Sequence, residues 1–155
     1  MTGQKDLIEK FLNSNRIALV GVSRTANDFT RKLWTEFRNR GFDAIPVHPS
    51  QHEIDGIKCY SRVQDIVPTV EGVLILTPKN QIDNVVNDCI AADVRTVWIY
   101  GIRGGKDVNP ETLKLCRENN IDVVAGFCPY MFLTDTTLFH RIHRFGWKLI
   151  GYYPQ

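Results

Sequence analysis

No window of this sequence approaches the ~18 consecutive apolar residues of a membrane-spanning helix, which argues against a membrane protein. Met1 to Lys10 is charged throughout and lacks the apolar run of a secretory leader, so a cytoplasmic setting is expected. Cysteine is sparse and scattered: Cys59, Cys89, Cys116 and Cys128 form neither a CxxC pair nor a finger spacing, which speaks against structural zinc. They read as small, reduced, apolar residues. Charge of one sign is also scarce. With a formal net charge of +2, nothing calls for a nucleic-acid partner, although a local group of cations can still receive a phosphorylated small molecule.

What is present is ordinary globular usage. A hydrophobic share of 43% and a charged share of 23% over 155 residues suit one packed domain, residues 1–155, with no room for a second. Asp6 to Asn13 places Leu7, Ile8, Phe11 and Leu12 on one helical stripe. Ile17 to Val20 is a continuous apolar run closed by Gly21, as in a strand covered on both faces. Arg31 to Arg40 sets Leu33, Trp34 and Phe37 at helical spacing, with Gly41 placed to stop the helix. Phe42 to Val47 reads as a second strand, and Pro46 suggests either that it lies near a sheet edge or that its end is already leaving the ladder. Ser50 to Tyr60 supports at most a short extended piece, and Ser61 to Ile66 one or two helical turns.

Val73 to Leu76 is a third strand. Thr77 and Pro78 then read as the cap and first residue of a helix whose Ile82, Val85, Val86, Cys89 and Ile90 share one face. Thr96 to Tyr100 gives a fourth strand, Asn109-Pro110 opens a helix to about Glu118, and Ile121 to Ala125 is the fifth strand. Alternation of this kind predicts an α/β, Rossmann-like, doubly wound parallel sheet of about five strands in three α/β/α layers, with its core at about 16–130. Leu138, Phe139, Ile142, Phe145, Leu149 and Ile150 predict an extra C-terminal helix at about 134–151, a candidate surface for a protein partner or a homo-oligomer.

In an open parallel sheet, ligands bind beyond the carboxyl ends of the strands. Those ends are Gly21-Val22-Ser23, Val47-His48-Pro49, Leu76-Thr77-Pro78, Tyr100-Gly101-Ile102 and Gly126-Phe127-Cys128. Gly21 lets the backbone approach a phosphate, Ser23 offers a hydroxyl, and Arg24, Arg31 and Lys32 bring cations to the same turn. The plain alternative is a tight turn with solvated cations. The dinucleotide fingerprint G-x-G-x-x-G is missing, because no glycine lies between Gly21 and Gly41. His48-Pro49 also ends the second strand where an acid would hold the ribose. Gly104-Gly105-Lys106-Asp107 lacks the hydroxyl residue of a P-loop. An NAD(P)-binding oxidoreductase or redox sensor is therefore the second reading, and triphosphate hydrolysis is disfavoured.

The runs IALVGVSR, IPVHP, EIDGIKCYSRVQDI, LILTPKNQ and VWIYGIR, followed by Cys128-Pro129, resemble the CoA-binding family of small Rossmann-like proteins over about Arg16 to Tyr130. They are also similar to the CoA-binding domain of the succinyl-CoA ligase alpha subunit. The family usually shows Gly-Ala-Ser where this chain has Gly21-Val22-Ser23, and Asn-Pro where it has His48-Pro49. The resemblance implies coenzyme A, or an acyl-CoA, as ligand. It implies that Gly21, Val22 and Ser23 hold the diphosphate, with Arg24 or Lys32 supplying charge. Val47, His48 and Pro49 would border the adenosine, Thr77 and Pro78 would line the pocket between strands, and Tyr100 and Gly101 would complete its wall.

Cys128 has two readings, a mixed-disulfide partner for a bound thiol arm or an inert buried residue beside Pro129. His140 and His143 share a helical face but have no third ligand at helical spacing, so a basic surface is favoured over zinc. No nucleophile, base and orienting acid are recognised together, and the expected role is binding without catalysis, as sensor, carrier or regulatory partner. A third reading is an interaction module acting through the C-terminal helix.

Overall fold

The structure is a computed structural model, and it describes residues 2–133. The apolar runs become five parallel strands, β1 (Arg16–Val20), β2 (Asp43–Val47), β5 (Gly72–Ile75), β6 (Thr96–Tyr100) and β7 (Asp122–Phe127). A two-residue antiparallel pair, β3 (Glu53–Ile54) and β4 (Ile57–Lys58), occupies the segment expected to be a short extended piece. The helices are α1 (Gln4–Leu12), α2 (Phe29–Asn39), α3 (Ile82–Ala91) and α4 (Pro110–Glu118).

Successive residues of a strand face opposite sides, and here both sides are apolar. Ile17, Leu19, Leu74, Trp98 and Val124 meet Phe11 of α1 and Leu33, Trp34 and Phe37 of α2 on one face. Ala18, Val20, Val73, Ile75, Val97 and Ile99 meet Val85, Val86 and Cys89 of α3 and Cys116 of α4 on the other. The result is the three-layer Rossmann-like α/β arrangement that the alternation predicts. Each fully buried aliphatic side chain contributes about 1.5–3 kcal/mol relative to exposure, so the two layers hold the sheet from both sides.

The strand order is β2-β1-β5-β6-β7. From β1 the chain steps outward to β2, then crosses back over β1 to β5, so its direction of travel reverses between β1 and β5. That switch point leaves a crevice beyond the carboxyl ends of β1 and β5, where neither neighbouring connection covers the sheet.

Both edges are closed by specific groups. On β2, Pro46 sits at the edge as its missing N–H requires, and its carbonyl accepts from Tyr60 N at 3.1 Å while His48 N donates to Tyr60 O at 2.9 Å. On β7, the side-chain amide of Gln4 donates to Val123 O and accepts from Ala125 N, both at 3.0 Å.

Local starts differ from expectation at two helices. Asp28, not a residue near Arg31, begins α2: its carboxylate accepts from Thr30 N at 2.8 Å. Thr77 and Pro78 do not cap α3. Pro78 O accepts from Gln81 N at 2.9 Å, an i to i+3 bond that makes Lys79–Gln81 a 3-10 turn before α3 opens at Ile82. The apolar stripe assigned to a C-terminal helix at 134–151 lies outside the described residues.

Candidate functional site

Gly21 ends β1 with φ +98, a conformation that residues with a Cβ rarely adopt. A Cβ there would stand 3.2 Å from Leu76 C and Thr77 N, so glycine also lets β1 and β5 close up at the switch point. Gly21 N donates to Val47 O, and Leu76 N to Val20 O, both at 2.9 Å, which ties the ends of β2, β1 and β5 into one rim.

Beyond Gly21 the turn is built from its own side chains. Val22 is fully buried and anchors it in the core. Ser23 N donates to Thr30 Oγ1 at 2.9 Å, and Ser23 Oγ accepts from Thr25 N at 3.0 Å. Hydrogen bonds from the Thr30 hydroxyl and Thr30 N hold the Asp28 carboxyl below its ordinary range, so this acid stays ionised as the cap of α2. Arg31, expected to offer charge to a ligand, is only 7% exposed and faces protein groups instead. It donates to Ser23 O at 3.2 Å and Arg24 O at 3.1 Å, and forms an ion pair with Asp55. Its planar, multi-donor head suits this bridging, which charge counting in the sequence could not reveal.

Three open clefts run along the strand ends. The first, about 370 Å³, is lined by Gly21, Ser23, Arg24, Thr25, Asp28, Thr30, His48, Ser50 and Gln51. In it the His48 Nδ1 accepts from Ser50 N at 3.2 Å, which orients the imidazole beside the turn. The second, about 230 Å³, includes Val47, Pro49, Arg62 and Thr77. The third, about 350 Å³, includes Thr77, Lys79, Tyr100, Gly101, Ile102 and Arg103. Thr77 belongs to both the second and the third, and its buried Oγ1 has no hydrogen-bond partner among the described residues. A buried hydroxyl without a partner is costly, so a ligand group at the junction would relieve it.

The third cleft owes its shape to Asp107. Burial raises that carboxyl, but hydrogen bonds from Ile102 N (2.6 Å), Arg103 N (2.8 Å) and the Arg103 guanidinium (2.8 Å) outweigh it and hold the group below its ordinary value. Tyr100 packs at 5.2 Å on Phe29, which packs at 5.9 Å on Tyr130. Phe29 is 38% exposed, an aromatic beside the Tyr100 wall of the third cleft that the residue pattern alone does not single out.

The structure thus brings Gly21, Ser23, Arg24 and His48 to one cleft, Val47, Pro49 and Thr77 to a second, and Thr77, Tyr100 and Gly101 to a third. Lys32 is exposed on the first turn of α2 and Pro78 on the turn after β5, but neither lines these clefts. Cys128 lines none of them: it is buried, and burial pushes its thiol up to about 11 despite hydrogen bonds from the Tyr130 and Met131 amides. That favours the inert reading of this residue over the disulfide one.

The family model described as "CoA binding domain" matches residues 15–134. The chain belongs to that family. This CoA binding domain is 24% identical over 125 residues to the uncharacterized protein YneT of Bacillus subtilis, covering 80% of this chain and 87% of that one. It is 25% identical over 142 residues to the alpha subunit of the ADP-forming acetate–CoA ligase II of Pyrococcus furiosus, covering 85% of this chain and 30% of the subunit. The domain therefore spans under a third of that ligase subunit's length. Among solved structures it resembles a hypothetical protein from Pyrococcus horikoshii OT3, with TM-score 0.72, 26% identity, and coverage of 83% of this chain and 87% of that one. No helix among the described residues is long and apolar enough to cross a membrane.

Proposed function

We propose that this chain binds coenzyme A or an acyl-CoA in the joined strand-end clefts, as a cytoplasmic module without chemistry of its own, serving as sensor, carrier or regulatory partner. The observation that carries the reading is the Gly21 turn at the switch point, where the missing Cβ lets β1 close against β5 and the left-handed backbone brings Gly21 and Ser23 to the wall of the first cleft. The diphosphate lies against Gly21 and Ser23, with Val22 buried beneath the turn and lining none of the clefts, and with Arg24 and the more distant Lys32 supplying charge. Val47, His48 and Pro49 border the adenosine. The pantetheine arm follows Thr77 and Pro78 toward Tyr100 and Gly101, and one of its amides is the partner the Thr77 hydroxyl lacks.

The residues fit a ligand with phosphates at one end and an apolar, amide-bearing arm at the other: polar residues line the first cleft, and Thr77 joins the second cleft to the third, whose walls include Tyr100 and Ile102. A binding role without covalent chemistry is supported by the cysteines. Burial raises the thiols of Cys59, Cys89, Cys116 and Cys128, so none is tuned as a nucleophile. Four free thiols also suit a reducing cytoplasm.

A side-by-side thermal shift with CoA, NAD and ATP tests the proposal. CoA at ~100 times its Kd adds about 2.7 kcal/mol of stability, and NAD and ATP add less. Stabilisation by NAD but not by CoA would overturn the reading in favour of a nicotinamide-dependent protein.

A further inference from the structure

Arg31 is the most deeply buried charge beside the site, and it lines none of the three clefts. It bonds the carbonyls of Ser23 and Arg24, two successive peptide units. In a trans peptide the C=O and N–H point in opposite directions, so fixing the Ser23 carbonyl on Arg31 turns the Arg24 N–H the other way. The next N–H, of Thr25, donates to Ser23 Oγ, whereas the Arg24 N–H has no protein partner among the described residues. Arg24 and Thr25 both line the first cleft.

We propose that Arg31 is a positioning residue, which turns the Ser23–Arg24 peptide so that the Arg24 N–H meets an incoming phosphate, and that Asp55 holds Arg31 in this pose. The proposal rests on the reading of the first cleft as the phosphate end of the site. Asp55 stands in the turn between β3 and β4 with φ +50, and its carboxylate pairs with Arg31. The pair is neutral overall, so Arg31 acts through orientation and adds little net attraction for an anion. A lysine carries the same charge but cannot span two carbonyls and a carboxylate in one plane. The small hairpin thereby becomes part of the site without touching the ligand.

The test titrates inorganic pyrophosphate and CoA separately into the full chain, following affinity by calorimetry and the Arg24 amide by two-dimensional NMR. Both ligands should shift the Arg24 amide of the natural protein. Arg31→Lys and Arg31→Gln should weaken both about ten-fold or more, the scale of one lost charge-assisted hydrogen bond, and remove the Arg24 shift. Asp55→Asn keeps a residue that tolerates positive φ at an exposed position, so it should fold normally and weaken both ligands about three-fold. Unchanged affinities with the Arg24 shift retained in the variants would overturn the proposal. Should neither Arg31 variant fold, Asp55→Asn decides alone, and natural affinity there overturns it. Binding of pyrophosphate but not CoA by the natural protein, with both effects of the variants intact, would sink the CoA reading and leave the positioning role standing. Tight CoA binding by every variant would do the reverse.

Discussion

Gly21 and Thr77 meet so closely across the switch point that a Cβ on Gly21 would come 3.2 Å from the Thr77 nitrogen. Because φ is also +98, two independent constraints keep this position a glycine. Gly21→Ala should cost about 1–3 kcal/mol of stability and weaken CoA at least ten-fold, since the added methyl pushes against the Leu76–Thr77 backbone and distorts the rim that the clefts share. Chemical denaturation and calorimetric titration measure the two effects separately. An alanine variant that binds CoA normally would exclude this turn from the site.

Trp98 lies wholly within the sheet and donates its indole N–H to Phe127 O at 2.9 Å. Trp98→Phe removes the donor and this hydrogen bond, and opens a void beside Phe11 and Phe132, whose rings pack on Trp98 at 5.4 and 5.9 Å. The expected loss is about 2–4 kcal/mol, read from the urea midpoint with an unchanged slope.

Acid should loosen the third cleft before it unfolds the rest. The Asp107 carboxyl is lower in the folded chain than its ordinary 3.8. Its contribution is therefore fully present above the unfolded value and is lost as pH falls through the folded one. Asp107→Asn should lower the melting temperature at pH 7 and flatten its decline below pH 4. An unaltered acid profile would show that the Gly101–Asp107 loop does not depend on this charge.

With its thiol pushed up to about 11, Cys128 carries roughly one thiolate in several thousand at pH 7.5. Native protein incubated with CoA under mild oxidation should show no adduct by intact mass, while urea-unfolded protein labels readily with iodoacetamide at all four cysteines. A CoA adduct mapped to Cys128 in the native state would restore its disulfide reading.

Long-range order was legible wherever apolar runs had to be covered on both faces. Ile17 to Val20, Val73 to Leu76 and Thr96 to Tyr100 declare themselves as buried strands, and Pro46 marks the edge because a missing donor tolerates no partner there. Short-range geometry was less legible. Thr77-Pro78 signals that the chain will coil, but whether the first bond closes at i+3 or i+4 depends on how the rim fits Gly21. The β3–β4 pair has two residues per strand, too few for any period to show. At the site, residue types pointed to loops that line the clefts, while the division of labour among cations did not emerge. Arg24 and Arg31 look alike in sequence, and only the fold sets one in the cleft and the other behind the turn. Phe29 was missed for the same reason, since an aromatic at a helix start reads as core until Tyr100 and Tyr130 are found beside it.

The Gln4 side chain bonds Val123 O and Ala125 N with the two groups a neighbouring parallel strand would offer at that register. One amide thus takes the place that a further strand would fill at this position. With Tyr60 serving the opposite edge, the sheet presents no open ladder at either of these places to an extended peptide or to another copy of itself. Growth by strand addition is blocked there by these side-chain and main-chain caps, and association between copies must use surfaces other than these edge positions.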